Sequence, residues 1–180
     1  MPARNDAALD PGSAARSLAA HITTGTPDSI GTADTETIAL RRVQLVALQA
    51  ESLAFEQAEL PVRHYFAPGV YCREMFIRAG ICLVGDVHLH EHVNFVLGDI
   101  SIAAPEGDFR VTGCETFVSP AGTKRAGVAH ADTWWTTVHA NPTNESDLTK
   151  VRELFSVPTF EAFDARLGHD QTHAARIEAP

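Results

Sequence analysis

The residues best suited to chemistry are three histidines in one short stretch, GDVHLHEHVN. His88, His90 and His92 recur at every second position, so in a β-strand their side chains lie on one face. Asp86 and Asn94 extend that face at either end. Neutral imidazole is the commonest protein ligand for a metal ion. The pattern therefore predicts a metal site on this stretch.

Strand geometry limits how many of these histidines one ion can use. Same-face neighbours on a strand lie about 7 Å apart, and a row of three spans roughly 13 Å. A single ion would therefore take two imidazoles from the row and recruit its other ligands from elsewhere in the chain. His139, at the end of a later predicted strand, is expected at the surface.

Two motifs around this stretch resemble those of the cupin superfamily. Gly85 with the H-x-H of 88–90 and VLGD is similar to the first motif, and SPAGTKR is similar to the second, P-x-G-x-x-H. The resemblance covers residues 61 to about 140. It implies a mainly β fold, a double-stranded β-helix or jelly-roll barrel, with a site inside its mouth. Gly122 provides the backbone freedom that the second motif's turn requires.

The chain departs from the cupin motifs in two places. Arg125 stands where the second motif has its histidine. The glutamate of the first motif is replaced by Asn94 in one register. In the other register it is replaced by His92, and Asp86 and His88 take the H-x-H places. Both registers put the same face inward, so the sequence leaves the choice open.

These departures leave two interpretations of the pocket. In the first, imidazoles bind Zn, Fe, Mn or Ni, with His130 contributing from the barrel rim. In the second, the pocket is metal-free and Arg125, a permanent cation that cannot ligate a metal, anchors a carboxylate or phosphate. Alternatively, Arg125 pairs with Asp86 or Glu91. The candidate metal ligands are His88, His90, His92 and His130.

A longer pattern is similar to the small cupin-like proteins of tailed bacteriophages and prophages. It runs from H-x-H-E-H-x-N through G-T-K-R and A-H-x-D-T-x-W-T-T-x-H to a D-L helix. Arg125 belongs to that pattern. The resemblance implies a protein of the bacterial host cytoplasm or of the virion, with other phage structural proteins as partners, and it implies no particular reaction.

The predicted elements outside the barrel lie before and after it in the sequence. Residues 1–32 are rich in small and polar types and predict a flexible arm. Residues 33–60 predict one long helix, capped by Asp34 or Thr35, that either packs on its own domain or is shared between subunits. Residues 61–142 consist of short β-rich runs separated by turn signals and predict the β-barrel. Residues 143–180 predict a short helix, capped by Ser146 or Asp147, and a tail.

Two apolar lines run along the predicted N-terminal helix. The first has the 4-3-4-3 spacing of a coiled-coil seam, and the second lies beside it. The seam consists of Ala39, Val43, Val46, Ala50 and Leu53, and the second line of Ile38, Leu45, Leu48 and Phe55. An apolar arc this wide exceeds what a single seam requires.

The overall charge excludes one class of partner. The formal net charge is -9, with only 14 lysines and arginines and no dense basic run, so a nucleic-acid partner is not expected. No stretch has the roughly 20 apolar residues of a membrane span, and no apolar signal-peptide region is present. We therefore expect a protein kept inside the cell, without a membrane partner.

Two functions from different classes remain. The favoured hypothesis is a phage virion structural or assembly component that oligomerises through its barrel, arm and helix, because barrel chemistry does not need the extension before residue 61. The alternative is a small metal-dependent cupin enzyme, of the dioxygenase, isomerase or lyase class, acting on a small molecule in the barrel. The row of histidines favours this alternative.

Overall fold

The computed structural model describes residues 33–167, and β-strands dominate that part of the chain. The strands are β1 (Val62–Ala67), β2 (Gly69–Ile77), β3 (Cys82–Val84), β4 (Val87–His88), β5 (His92–Ala104), β6 (Gly107–Ser119), β7 (Ala126–Asn141) and β8 (Ser156–Val157). The helices are α1 (Thr35–Ser52), α2 (Leu148–Phe155) and α3, residues 160–167. The mainly β prediction is thus confirmed. The predicted arm at 1–32 and the tail from 168 lie outside the described residues.

All strand pairs are antiparallel. One sheet runs in the order β1-β2-β7-β5-β6, with β3 also paired to β7, and β4 pairs with β8 in a separate two-stranded sheet. β5 and β7 lie at the centre, so both backbone edges of each are hydrogen-bonded. Side chains from β2, β5 and β7 therefore share one enclosed interior.

The apolar core fills one end of this interior. Its buried members come from β2, β5, β6 and β7, and six of them have no solvent exposure beyond rounding. They are Met75, Ile77, Val96, Ile100, Ile102, Phe109, Val111, Phe117 and Ala129. Burial of each large side chain contributes about 1.5–3 kcal/mol, so this cluster supplies much of the driving force for folding.

α1 begins where predicted and ends earlier. Asp34 caps it, since its Oδ1 accepts a hydrogen bond of 2.7 Å from the backbone N of Thr37. The helix ends at Ser52, because the Gln57 side chain folds back and its Nε2 donates to the carbonyls of Ser52 and Phe55, both at 2.9 Å. The expectation of one helix as far as residue 60 was therefore wrong. None of the described helices is long and apolar enough to cross a bilayer.

The two apolar lines of α1 have different environments. The second line faces the rest of the chain: Leu45 is buried, and Ile38, Leu48 and Phe55 are half-buried. Every residue of the coiled-coil-like seam is exposed, and Val43 is 67% accessible. Arg41 fixes the helix to the barrel by donating to the Asp108 carboxylate and to the carbonyl of Ala104. The helix thus packs on its own domain with one line and leaves the other uncovered.

The C-terminal elements pack beside the barrel mouth. Asp147 caps α2 by accepting hydrogen bonds from the backbone of Thr149 and Lys150, which confirms one of the two predicted caps. α2 buries Val151 and Phe155 against Tyr71. α3 buries two phenylalanines against Val87 and Leu89 of the histidine stretch. Both helices therefore support the segment that carries His88.

Candidate metal centre

The histidine stretch is not one continuous strand. β4 ends at His88, the chain bends, and β5 begins at His92. This bend stacks the rings of His88 and His92 with centroids 4.0 Å apart. The expected straight row was therefore wrong, because an extended strand would have kept these two side chains far apart.

Backbone hydrogen bonds hold the His88 end of the bend in place. The N of His88 donates to the carbonyl of Thr123 at 2.9 Å, and the N of Gly122 donates to the carbonyl of His88 at 2.8 Å. Gly122 has a φ of 82°, and a Cβ there would lie 2.8 Å from the ring of Phe163. Glycine is required on both grounds. The SPAGTKR turn thus positions His88.

His139 is the third member of the cluster. Its ring centroid lies 5.3 Å from that of His88 and 4.8 Å from that of His92. The residue is 3% exposed, so the expectation that it lies at the surface was wrong. β7 is an inner strand of the sheet, and Trp135, Thr137 and His139 occupy alternate positions on it that face the pocket.

The nitrogens of these imidazoles are arranged for a shared ion. One potential ligand nitrogen from each of the three rings lies within 4.8 Å of the others. Ligand atoms about 2.0–2.1 Å from a tetrahedral ion lie about 3.3–3.5 Å from one another. Small rotations of the three rings would bring their nitrogens from at most 4.8 Å to this separation. Nδ1 of His88, Nδ1 of His139 and Nε2 of His92 are buried and have no hydrogen-bond partner among the described residues. Buried polar atoms normally have partners, so these residues fit a metal ion.

The tautomer of His92 is set by the backbone. Its Nδ1 lies 3.0 Å from the carbonyl oxygen of His90, which can only accept, so Nδ1 carries the proton. Nε2 is therefore left with its lone pair directed into the cluster. Metal-binding histidines commonly have their second nitrogen held in this way.

All three imidazoles are neutral at neutral pH. Burial is the largest cause of a lowered pKa in each: about 2 for His88, about 4 for His92 and about 3 for His139. The positive charges of neighbouring groups lower these pKa values further, and Arg125 and Arg73 both act on His88. The neutral form is the one that ligates metals.

The structure does not bring His90 and His130 into this cluster. His90 is exposed, with its ring edge-on to Phe155 at 6.4 Å. His130 is also exposed, and its Nε2 lies 2.8 Å from Oγ of Ser101, a residue whose strand neighbours belong to the apolar end of the barrel. His130 is on the β7 segment before Trp134, whereas the cluster lies at the other end of that strand.

The predicted polar partners occupy different places around the cluster. Asp86 lines the cavity but pairs with Arg152 at 3.1 Å rather than with Arg125. Asn94 is 1% exposed, donates to Oγ of Ser119 at 2.6 Å and accepts from Nε1 of Trp135 at 3.0 Å. These contacts fix the side chain of Asn94 beside the cluster.

Two connected chambers give access to the imidazoles. An inner chamber of about 70 Å³ is lined by His92, Asn94 and Arg125. An outer chamber of about 470 Å³ is lined by His139 and by residues of β1 and α2. His88 and Arg73 line both, so they lie where the chambers meet. A small molecule could thus reach the cluster from the barrel mouth.

Arg125 lies deep in the inner chamber. It is 9% exposed, one terminal nitrogen donates to Oγ of Ser119, and Phe117 covers the guanidinium at 5.3 Å. Burial lowers its pKa to about 10, while the negative charge of Glu106 opposes this. At neutral pH it is therefore a buried cation, and Arg73, whose pKa burial also lowers, is a half-buried one.

Sequence reasoning missed His139 and Arg73 as site residues. Each belongs to a run of alternating residues whose inward positions become evident only when the strand pairing is known. Arg73 lies on β2 between the buried Tyr71 and Met75, opposite Thr137 of β7. The two-residue spacing of Trp135, Thr137 and His139 was a signal that could have indicated the third ligand.

Comparisons with known proteins return structural neighbours but no sequence relative. No protein-family model and no curated protein matches the chain. KdgF from Halomonas sp. has 15% identity and a TM-score of 0.42, over 52% of this chain and 88% of KdgF. A cupin superfamily protein from Desulfitobacterium hafniense has 12% identity and a TM-score of 0.38, over 48% of this chain and 83% of its own.

A further neighbour is longer than this chain. Salicylate 1,2-dioxygenase from Pseudoaminobacter salicylatoxidans has 14% identity and a TM-score of 0.43, over 68% of this chain and 35% of the dioxygenase. The structural neighbours are thus cupin-superfamily proteins, and the closer similarity to phage proteins stays a prediction. Similarity at this level says nothing about the ligand or reaction of this chain.

Proposed function

We propose that this protein is a small metal-dependent enzyme of the cupin type that acts on a small molecule within the barrel. One observation carries the proposal: each of three neutral imidazoles places a potential ligand nitrogen within 4.8 Å of the others, and each ring has one buried nitrogen without a hydrogen-bond partner among the described residues. Unpartnered buried polar atoms are costly, by about 1–3 kcal/mol each, so a fold retains them where a ligand satisfies them.

His88, His92 and His139 would hold the ion. A divalent metal bound by three imidazoles keeps open positions, where it acts as a Lewis acid or lowers the pKa of a bound water. No Cys, Asp or Glu in the described part of the chain joins the three histidines as a ligand. Substrate and water would therefore complete the coordination.

The outer chamber adds a hydrogen-bonded pair. Nδ1 of His64 lies 2.7 Å from the hydroxyl of Tyr71, and both residues line this chamber. Burial raises the pKa of Tyr71, so its hydroxyl keeps its proton at neutral pH while it is hydrogen-bonded to His64. This pair would orient a substrate that enters from the barrel mouth.

Elemental analysis of protein purified without a histidine tag tests the proposal. We expect about one Fe, Mn, Ni or Zn per chain, lost in His88→Ala and His139→Ala. His90→Ala and His130→Ala are matched controls, because both histidines are exposed and lie outside the cluster. The assignment would be contradicted if the wild-type protein stayed metal-free after supplementation with each ion. It would also be contradicted if His90→Ala or His130→Ala lost the metal.

The identity of the ion then narrows the reaction. Zinc has no redox chemistry, so stoichiometric zinc favours an isomerase or lyase, whereas iron favours a dioxygenase. Oxygen consumption during incubation with small organic substrates separates these classes.

A second function is favoured by the exposed seam on α1. Five apolar residues at coiled-coil spacing face away from their own domain, which is the arrangement a second copy of the same helix would cover. We propose on this basis that the protein forms homo-oligomers, and that, in line with the phage resemblance, it can serve as a virion component. Both functions are compatible in one chain.

Light scattering of the full chain tests this second function. Wild-type protein is expected to be oligomeric, and Val43→Glu combined with Val46→Glu to be monomeric. Gln44→Glu, an exposed change between them, is the matched control and should not alter the mass. A monomeric wild type excludes self-assembly. Absence of the chain from purified phage particles excludes the virion role.

A further inference from the structure

The guanidinium of Arg125 has one edge without a partner. Its Nε and Nη2 are buried and make no hydrogen bond to any described residue, while the remaining nitrogen, Nη1, donates to Ser119. The side chain is 9% exposed and lines the inner chamber. A buried charged group that lacks partners is more costly than a neutral one, so this edge calls for a ligand.

The same edge of another arginine in this protein already binds a carboxylate. Nε and Nη2 of Arg110 donate to the two oxygens of Asp99, both at 2.8 Å. Two parallel N–H groups match the two oxygens of a planar carboxylate, and such bidentate pairs are the strong ones. Arg125 presents this donor pair inside the barrel, where no side-chain carboxylate of the described residues accepts from it.

The carboxylates of Asp86 and Glu106 form no ion pair with Arg125. Asp86 pairs with Arg152 at 3.1 Å. Glu106 attracts Arg125 at a distance, but its Oε1 accepts from Thr123, and no ion pair joins it to Arg125. The side chain of Arg73 lines both chambers, and its one hydrogen bond among the described residues is a weak one to the sulfur of Met75 at 3.9 Å. Two cations, one buried and one half-buried, therefore flank the imidazoles.

We propose that the inner chamber binds the carboxylate of a small organic acid through Nε and Nη2 of Arg125. Arg73 supplies further positive charge where the chambers meet, and Met75, Leu83 and Trp135 provide an apolar wall for the hydrocarbon part. The inference rests on the proposed function in that this acid is the substrate class of the enzyme. The assignment of Arg125 itself does not require a metal.

The two cations also predict coupling between acid and metal. Arg125 and Arg73 repel a divalent ion held by the histidines, and a bound carboxylate removes much of that repulsion. Each ligand should therefore raise the affinity for the other by the same factor, because coupling between two binding equilibria is reciprocal.

Titration calorimetry on the metal-free protein tests the anion site first. The probes are butyrate and benzoate, with butyramide and benzamide as neutral controls of the same shape. We expect each acid to bind at least about tenfold more tightly than its amide, since the amide has no negative charge and only one acceptor oxygen for the two N–H groups. Equal binding of acid and amide, or no binding of either acid, overturns the proposal.

Variants locate the site. Arg125→Lys keeps the charge but lacks the paired edge, and it should weaken butyrate and benzoate by about tenfold or more. Arg110→Lys is the matched control, because it alters the same edge at a surface pair, and it should leave acid binding unchanged. Circular dichroism verifies that both variants fold. Unchanged acid binding in Arg125→Lys contradicts the assignment, and so does tighter binding of inorganic phosphate than of either acid.

The coupling is measured separately as the affinity for Mn²⁺ with and without benzoate. We expect an increase of about fivefold or more. Acid binding without any metal binding would refute the metal-dependent enzyme and leave the anion site standing. Metal binding without acid binding would refute the anion site and leave the metal centre standing.

Discussion

Two ends of one barrel use the same strands for different chemistry. On β2, Arg73 faces the pocket and Ile77 the apolar core. On β5, His92 and Asn94 face the pocket, whereas Ile100, further along, is fully buried in the core. The inward positions continue through both ends, and only the residue types change. The apolar end is closed, whereas the polar end contains two chambers and several buried atoms without partners.

The two ends contribute differently to the protein: the closed end stabilises the fold, and the pocket end holds the groups proposed to bind ligands. Apolar side chains at the closed end gain free energy from burial at every pH. The pocket end instead keeps three imidazoles and the guanidinium of Arg125 largely out of water, which opposes folding unless a ligand compensates. Changes at the two ends should therefore respond differently to pH, truncation and ligands.

The largest expected effect is acid destabilisation from the pocket end. The imidazoles of His88, His92 and His139 have pKa values of about 2, 4 and 3 when folded, against 6.5 as the reference for the unfolded chain. Below about pH 6.5 the unfolded state binds more protons, so stability falls as pH falls, by up to about 1.4 kcal/mol per pH unit for each imidazole. Above that pH both states are neutral and the contribution is flat.

Urea unfolding of the metal-free protein between pH 7 and about pH 4.5 measures this dependence. His139→Gln removes one of the three groups and should make the slope about one third shallower. His130→Gln changes an exposed histidine and is the control. An equal slope in wild type and His139→Gln would show that the cluster does not govern the pH response.

The next effect belongs to the closed end. Phe109 is fully buried against Phe117, with ring centroids 5.2 Å apart. Phe109→Ala should lower the free energy of unfolding by about 3–5 kcal/mol, through lost burial and the cavity left behind. The same loss is expected at pH 7 and at pH 5, since no titrating group is removed. A pH-dependent loss in chemical denaturation would break the proposed division between the two ends.

A smaller effect is expected at the boundary between the ends. Asn94 joins Ser119 and Trp135 through two hydrogen bonds. Asn94→Ala removes the acceptor of Trp135 and one of the two donors to Ser119, and it should cost about 1–3 kcal/mol of stability. Asn94→Asp keeps the acceptor for Trp135, so thermal unfolding at neutral pH should separate the two contributions. Equal stability of Asn94→Ala and wild type would mean that neither hydrogen bond matters.

The smallest effect is expected outside the barrel. Val43 is 67% exposed on α1, so Val43→Gln in dilute protein should change the free energy of unfolding by less than about 0.5 kcal/mol. Leu45→Ala, two residues away and 4% exposed, should cost about 2–5 kcal/mol. If the stability of the wild type instead rises with protein concentration, and Val43→Gln abolishes this dependence, then the seam is covered by another copy of the chain.

Several elements could be predicted because local patterns specify them. Asp34 and Asp147 were identified as candidate helix caps, since a carboxylate before a helix satisfies free backbone N–H groups. The turn at Gly122 was predicted from its motif. The end of α1 at Ser52 was not, because it depends on the Gln57 side chain folding back onto the helix.

The sequence by itself determined the mainly β fold, its helical flanks and the stretch that carries His88 and His92. Strand periodicity and turn residues act over a few positions, so they can be recognised without knowledge of the rest of the chain. Only the tertiary structure decided which histidines meet. His88 and His139 are 51 positions apart in the sequence. Their approach depends on the bend after β4 and on the pairing of β7 with β2 and β5.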